Sequence, residues 1–342
     1  MTGPHHGGEV QIDLYDFAIP VTVSIDVTEA ALDRAAIDVG NLNAFIHGAP
    51  STVKAIAQQW RSAITRDSIY PLGRQWRRSD DYAKLERTEK GFMSGLLGGV
   101  LSKLVAESIF DIRYFGHIEY FTPQPHYDPR TRRRPDFLGL PAGGGPAVVV
   151  ESKGRSDRFD ASPADVEKAK EQARSVLAVP GCAAVQRYVQ YTHFTRDGVL
   201  TARLYDPPGP DDGDGDSDSP APTNDLSNVD LRAYYRDIVD AASALDARRV
   251  PLGGVSYRLF TYALLGISVG VPDRIFEAVR QDQPIPAGSD EVAPINTADV
   301  AGASRSWLLE DSGRDIPDDV QVLADAGPDG IVVVGTYPRR KG

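Results

Sequence analysis

The chain has 342 residues, 41% of them hydrophobic, and a formal net charge of −11, enough for one large domain or two ordinary ones with a sizeable core. Its single cysteine, Cys182, excludes an intramolecular disulfide and a multi-cysteine zinc site, and fits a reducing, cytoplasmic setting. No uninterrupted apolar run approaches ~20 residues, and the start "MTGPHHGGEV" lacks the basic and apolar regions of a secretory signal, so neither a transmembrane helix nor export is expected.

"EVQIDLYDFAIPVTVSIDV" (9–27) alternates apolar and polar residues and reads as one or two strands interrupted near Pro20. A helix follows the cap-like Ser51 through "TVKAIAQQWRSAI". Residues 81–110 form one long helical pattern, with Phe92, Leu96, Leu97, Val100, Leu101, Leu104 and Val105 at three-to-four spacing. Strands are expected at 112–121, 136–140 and 147–152, the last two flanking the glycine-rich "PAGGG". Residues 162–179 read as a helix with Ser162 as N-cap and Pro163 at its first position. Segments 184–194 and 199–205 read as strands joined by the turn "TRDG".

Residues 206–225 hold Pro, Gly, Ser and seven Asp with almost no apolar content, and read as an acidic flexible linker. Asp212, Asp214 and Asp216 have the spacing of a calcium loop, but Ser217 stands where glycine is needed and Thr223 where the twelfth-position glutamate belongs. Beyond the linker come a helix within 226–249, a strand or strand pair at 255–270 and a short helix at 272–281. A Pro- and Asp-rich tail follows, with "SWLLE" as its apolar anchor, and then a last strand at 330–337. The chain thus divides into N-terminal strands and helix packing on a core (1–80), the core (81–205), the linker, and a C-terminal α/β extension (226–342). Charge is uneven across these parts. Residues 1–205 carry 24 acidic and 25 basic side chains, so the negative charge lies downstream. Arginines cluster at Arg74, Arg77 and Arg78 and at Arg130, Arg132, Arg133 and Arg134. Such local patches can contact phosphate despite a negative total; the plainer reading is solvated loops.

The chemistry concentrates in "RRRPDFLGLPAGGGPAVVVESKG", residues 132–154. In an antiparallel hairpin about this turn, opposed residue numbers sum to about 287, which sets Asp136 opposite Glu151. Strand alternation puts Lys153 on the same face as Glu151 and turns Ser152 away. Two carboxylates so close repel, and a hard divalent cation relieves the repulsion while leaving water and phosphate a place on the metal. Asp136 and Lys153 alone could equally form an ordinary cross-strand ion pair.

These residues, with the helix before them and the helix and strand after them, resemble the PD-(D/E)xK nuclease superfamily over roughly residues 85–205. The resemblance implies an α/β, restriction-endonuclease-like core (helix, three strands, helix, strands) with N- and C-terminal elaborations. It implies that Asp136 and Glu151 bind Mg²⁺ or Mn²⁺ and that Lys153 assists the attacking water or the developing charge. It also implies a glutamate on the first helix, Glu89 being preferred to Glu107, and a polar residue on the following helix, Gln172 being preferred to Lys168. The expected partner is nucleic acid, with DNA first, through Arg130, Arg132, Arg133, Arg134 and the "GRQWRR" segment. A homo-oligomer or a protein partner could form through 226–342. His117 and His126 read as satisfied or surface histidines. No P-loop is present, so translocation along DNA is not expected. A non-catalytic nucleic-acid-binding or assembly protein on the same fold, and a nuclease effector of a defence system, are the alternatives.

Overall fold

A computed structural model describes residues 7–17, 20–39, 49–141, 143, 145–206, 225–287, 297, 300 and 320–338. The first alternating stretch forms two antiparallel strands, β1 (Gly7–Tyr15) and β2 (Val21–Thr28). Thr28 accepts a hydrogen bond from the Ala31 N–H at 3.0 Å and caps α1 (Glu29–Asp38), a buried alanine-rich helix absent from the expected elements. Helix α2 (Ser51–Ser68) follows, with Pro50 rather than Ser51 at its cap position. The "GRQWRR" segment lies on a hairpin, β3 (Ile69–Leu72) and β4 (Gln75–Arg78). The pattern expected as one helix is two, α3 (Asp80–Lys84) and α4 (Arg87–Phe110). The break arises because Glu86 and Glu89 cap each other's backbone N–H groups and start a new helix.

Next come β5 (Ile112–His117), β6 (His126–Tyr127), β7 (Phe137–Pro141) and β8 (Ala147–Gly154). Helix α5 (Pro163–Arg174) has the expected Ser162 cap but stops early, because Val176–Ala178 pairs with β6 as β9. Strands β10 (Val185–Phe194) and β11 (Leu200–Tyr205) close this half. The second half contains α6 (Arg232–Ala244), β12 (Arg248–Leu252), β13 (Val255–Tyr262), β14 (Ile267–Pro272), α7 (Asp273–Arg280), β15 (Val320–Ala326) and β16 (Val332–Pro338). The interior of the acidic linker (207–224) and the "SWLLE" anchor lie outside the described residues.

The fold is mixed α/β. A nine-stranded sheet runs β3-β4-β1-β11-β10-β8-β7-β5, with β2 paired to β1 off this path. Within it β5, β7 and β8 are mutually antiparallel, and β10 returns parallel to β8 after α5. The N-terminal β1 extends the sheet by pairing in parallel with β11. The C-terminal strands make a separate antiparallel sheet, β12-β13-β14-β16-β15. It is not a detached unit, because one apolar cluster contains Tyr114, Leu138 and Val149 of the large sheet together with Ile238, Val269 and Val333.

Both faces of β8 are covered, which is why it reads as an uninterrupted apolar run. Val148 and Val149 are 0% exposed and Val150 3%; each such valine stabilises by roughly 1.5–3 kcal/mol. Helix α4 lies directly against this strand. A Cβ on Gly154 would come within 1.8 Å of the Ser94 carbonyl oxygen, so the close approach needs glycine there, and one on Gly98 would sit tightly, 3.0 Å from Ser152 Oγ. By length and composition alone α4 would pass as a membrane span, but 67% of that stretch is buried inside the protein. It is the central helix of the core.

Candidate active site

β7 and β8 pair with Phe137 opposite Val150, Leu138 opposite Val149 and Gly139 opposite Val148. This is the register expected from the hairpin geometry, and one further step sets Asp136 across from Glu151. The Ser152 N–H donates to Asp136 Oδ2 at 3.0 Å and ties the aspartate to the partner strand just beyond the end of β7. Ser152 itself faces α4, where its Oγ meets Ser102 Oγ at 3.1 Å. Glu151 and Lys153 take the other face, beside Val189 and Tyr191 of β10. Ala169 and Ala173 of α5 pack on those two β10 residues. Earlier along the same face, Ala147 and Val149 enter the core shared with the C-terminal half. The charged residues therefore begin where the apolar cover of β8 ends.

Glu151 is 0% exposed, and its Oε2 has no hydrogen-bond partner. Its Oε1 accepts from Lys153 Nζ, whose side chain is 36% exposed. Burial, reinforced by the nearby Asp136 charge, pushes the Glu151 carboxyl up to about 8 against the pull of Lys153. Burial also raises Asp136, opposed by Lys153, the Ser152 N–H and His117. Desolvation thus raises both acids, and the Asp136 charge adds to the rise at Glu151.

The other expected residues fall into three groups. Gln172 reaches the neighbourhood: its side-chain N–H donates to the Arg134 carbonyl at 2.5 Å, two residues before Asp136. Lys168 is exposed on α5. Glu89 and Glu107 are engaged elsewhere. Glu89, expected as a third metal carboxylate, is exposed and accepts from the Glu86 N–H at 3.1 Å as part of the helix cap. Glu107 is buried and bonded to Arg34 and Lys103. Among the arginines, Arg132 and Arg133 are exposed, Arg130 folds back on Asp128 at 3.0 Å, and Arg134 lies 4.5 Å over the Tyr127 ring. In the hairpin, Arg74 pairs with Glu9, and Arg78 pairs with Asp157 at 2.7 Å. Arg77 donates to the Asp197 carbonyl at 3.3 Å. His126 is exposed on β6. His117 is closer to the chemistry than its surface reading suggests. Burial lowers it, while Glu119 and Asp136 pull the other way. Its only sequence signal is its place at the end of the strand that pairs with β7.

Among the described residues, no group of three or more His, Cys, Asp or Glu side chains is placed to hold a metal. The pair fits a magnesium-type ion nonetheless. Such ions use one or two carboxylates and keep several waters, and the buried Glu151 Oε2 has no hydrogen-bond partner. No family model, curated protein or solved structure matches this chain.

Proposed function

We propose that this chain is a divalent-metal-dependent nuclease with a restriction-endonuclease-like core, hydrolysing phosphodiester bonds, most naturally in DNA. The observation that carries this reading is the β7–β8 register, which opposes Asp136 to a buried Glu151 with one unpartnered oxygen and Lys153 on the same face. The order α4, antiparallel β5–β7–β8, α5, then β10 parallel to β8 supports it, since it is the order that the PD-(D/E)xK resemblance implies.

In this reading Asp136 and Glu151 hold Mg²⁺ or Mn²⁺, which when bound polarises a phosphate oxygen and lowers the pKa of a bound water. Lys153 reaches both the carboxylates and solvent, so its ammonium can orient a water or stabilise charge developing on phosphate. Gln172 acts as a positioning residue by tethering the chain just before Asp136. The exposed Arg132 and Arg133, with Arg130 and Arg134, precede Asp136 in the chain and would supply cations for phosphate.

The test is incubation of the purified protein with plasmid, linear duplex, single-stranded DNA and RNA in Mg²⁺, Mn²⁺ or EDTA. Cleavage that needs metal and is lost in Asp136→Asn and Lys153→Ala supports the proposal; cleavage that survives both substitutions, or persists in EDTA, sinks it. The direct Lys153–Glu151 contact favours a second reading, because it offsets the buried carboxylate without a cation. On that reading the protein is a non-catalytic nucleic-acid-binding or assembly module, and it would bind without metal and cleave nothing.

A further inference from the structure

The face that carries Glu151 and Lys153 continues past the metal pair into a set of cations without carboxylate partners. Register across the sheet sets Lys153 beside Tyr191 of β10, and Tyr191 beside Arg203 of β11. Adjacent strands lie ~4.8 Å apart, so Lys153 and Arg203 stand about 10 Å apart across the row. Arg155 follows Lys153 on the same face, its N–H still bonded to the Thr192 carbonyl at 2.8 Å. That puts it ~7 Å along the strand from Lys153.

The two guanidinium groups are held by aromatic rings rather than by acids. Arg155 lies 5.4 Å from the Tyr191 ring centre, and Arg203 lies 4.1 Å from that of Phe159. Phe159 in turn packs edge-on against Tyr191, at 5.3 Å. Among the described residues no carboxylate forms an ion pair with either arginine. Asp13, opposite Arg203 in register, instead accepts from the Thr22 hydroxyl at 2.7 Å. Asp165, which interacts with Arg155 through space, is engaged by Ser162 at 2.8 Å. Arg155 Nε and Arg203 Nε are buried with no hydrogen-bond partner. His193 is 6% exposed, packs 5.6 Å from Phe159, and leaves its Nε2 equally unpartnered.

Stacked guanidinium groups that also meet the Tyr191 and Tyr205 hydroxyls, each keeping an unpartnered Nε while the nearest acids are engaged by hydroxyls, form beside Lys153 a receptor for a phosphate-type anion. We infer that Arg155 and Arg203, floored by Phe159 and Tyr191, bind a backbone phosphate of the nucleic acid next to the one cleaved at Asp136 and Glu151. The inference rests on the nuclease reading above and adds to it a direction: the substrate strand leaves the metal pair along β8 toward β11.

Binding of a labelled 20-mer, duplex and single-stranded, is measured by fluorescence anisotropy in EDTA, where nothing is cut, over a salt series. Arg155→Gln and Arg203→Gln should each weaken binding several-fold and lower the slope of log affinity against log salt by about one. Each variant therefore loses about threefold less affinity than the wild type between 50 and 200 mM salt. Arg203→Lys keeps the charge and should keep the slope; thermal melting identifies any variant that is simply unfolded, in which case Arg155→Gln and Arg203→Lys decide. Wild-type binding with unchanged slopes in both glutamine variants overturns this inference and leaves the nuclease reading intact. Absence of both binding and metal-dependent cleavage in the wild type overturns the two together.

Discussion

Lys103 and Lys153 both meet buried acids, but their surroundings differ. Lys103 is 0% exposed and contacts Asp38 at 2.5 Å, Glu107 at 2.9 Å and Asp329 at 3.1 Å. Arg34 bonds Glu107 through both oxygens, at 2.8 and 2.6 Å, and Asp325 at 2.5 Å. Tyr234 donates to Asp329 at 2.7 Å. This cluster ties α1, α4 and α6 to β15 and the β15–β16 turn, and no orphaned oxygen occurs in it among the described residues. At the end of β8, by contrast, Lys153 reaches solvent and Glu151 keeps an unpartnered oxygen. The electrostatics separate the two in the same way. Burial pushes Asp38 up to about 7, and the next influence is the attraction of Lys103. Burial pushes Glu151 up to about 8, and the next influence is repulsion from Asp136. Buried charge does not by itself mark a site. A completed network binds elements together, whereas an incomplete one at the border of the core is the arrangement on which the proposed site rests.

The strongest way to break this contrast is to remove each lysine. Lys103→Met leaves Asp38, Glu107 and Asp329 buried around a missing cation, and should cost about 3–5 kcal/mol in urea unfolding. Lys153→Met should change stability by less than about 1 kcal/mol, because Lys153 is itself 36% exposed and Glu151 can keep a proton once the cation is gone, and on the nuclease proposal it should abolish metal-dependent cleavage. Equal destabilisation by the two substitutions would mean that both clusters are structural.

A second effect follows from the raised Glu151. The folded protein retains a proton there that the unfolded chain has released, so between about pH 4.5 and 8 the stability contributed at this site falls as pH rises. Glu151→Gln should remove that loss, narrowing the fall in Tm between pH 5.5 and pH 8 by on the order of 5 °C relative to the wild type. On the proposal that Mg²⁺ is held by the ionised pair, it should raise the wild-type Tm more at pH 8 than at pH 5.5. The same addition should do little in Glu151→Gln. A Tm difference between the two proteins that is flat with pH would show that Glu151 is not perturbed as described.

The β8 site was legible in the sequence because its geometry is local. One short turn and strand alternation were enough to oppose Asp136 to Glu151 and turn Ser152 away, as the register bears out. The Lys103 cluster was not legible, because its partners are distant in the chain: Arg34 and Asp325 are 291 positions apart, and Lys103 and Asp329 are 226 apart. Helix α1 was missed for a related reason. Its charged Asp33 and Arg34 are 0% and 3% exposed because their partners come from α2, α4, β15 and β16, which local pattern does not show. The pairing of β1 with β11, Gln11 beside Thr201, likewise leaves no trace in local periodicity. Glu107 shows the consequence for site assignment. Sequence order made it a rival ligand, and in the fold it is engaged instead by its long-range partner Arg34 and by Lys103.

Glu89 gives the smallest effect and the finest test of the contrast. Its carboxylate closes the cap of α4 on the Glu86 N–H, so Glu89→Ala should cost about 0.5–1 kcal/mol of stability. Glutamine serves the same capping role without charge. Glu89→Gln should therefore match the wild type both in stability and in cleavage rate at saturating Mg²⁺. If Glu89 instead supplied a third carboxylate to the metal, the glutamine variant would keep its stability but require much more Mg²⁺ for half-maximal cleavage. A Mg²⁺ titration of cleavage by Glu89→Gln separates the two roles, because only a ligand's charge, not a cap's, alters the metal requirement.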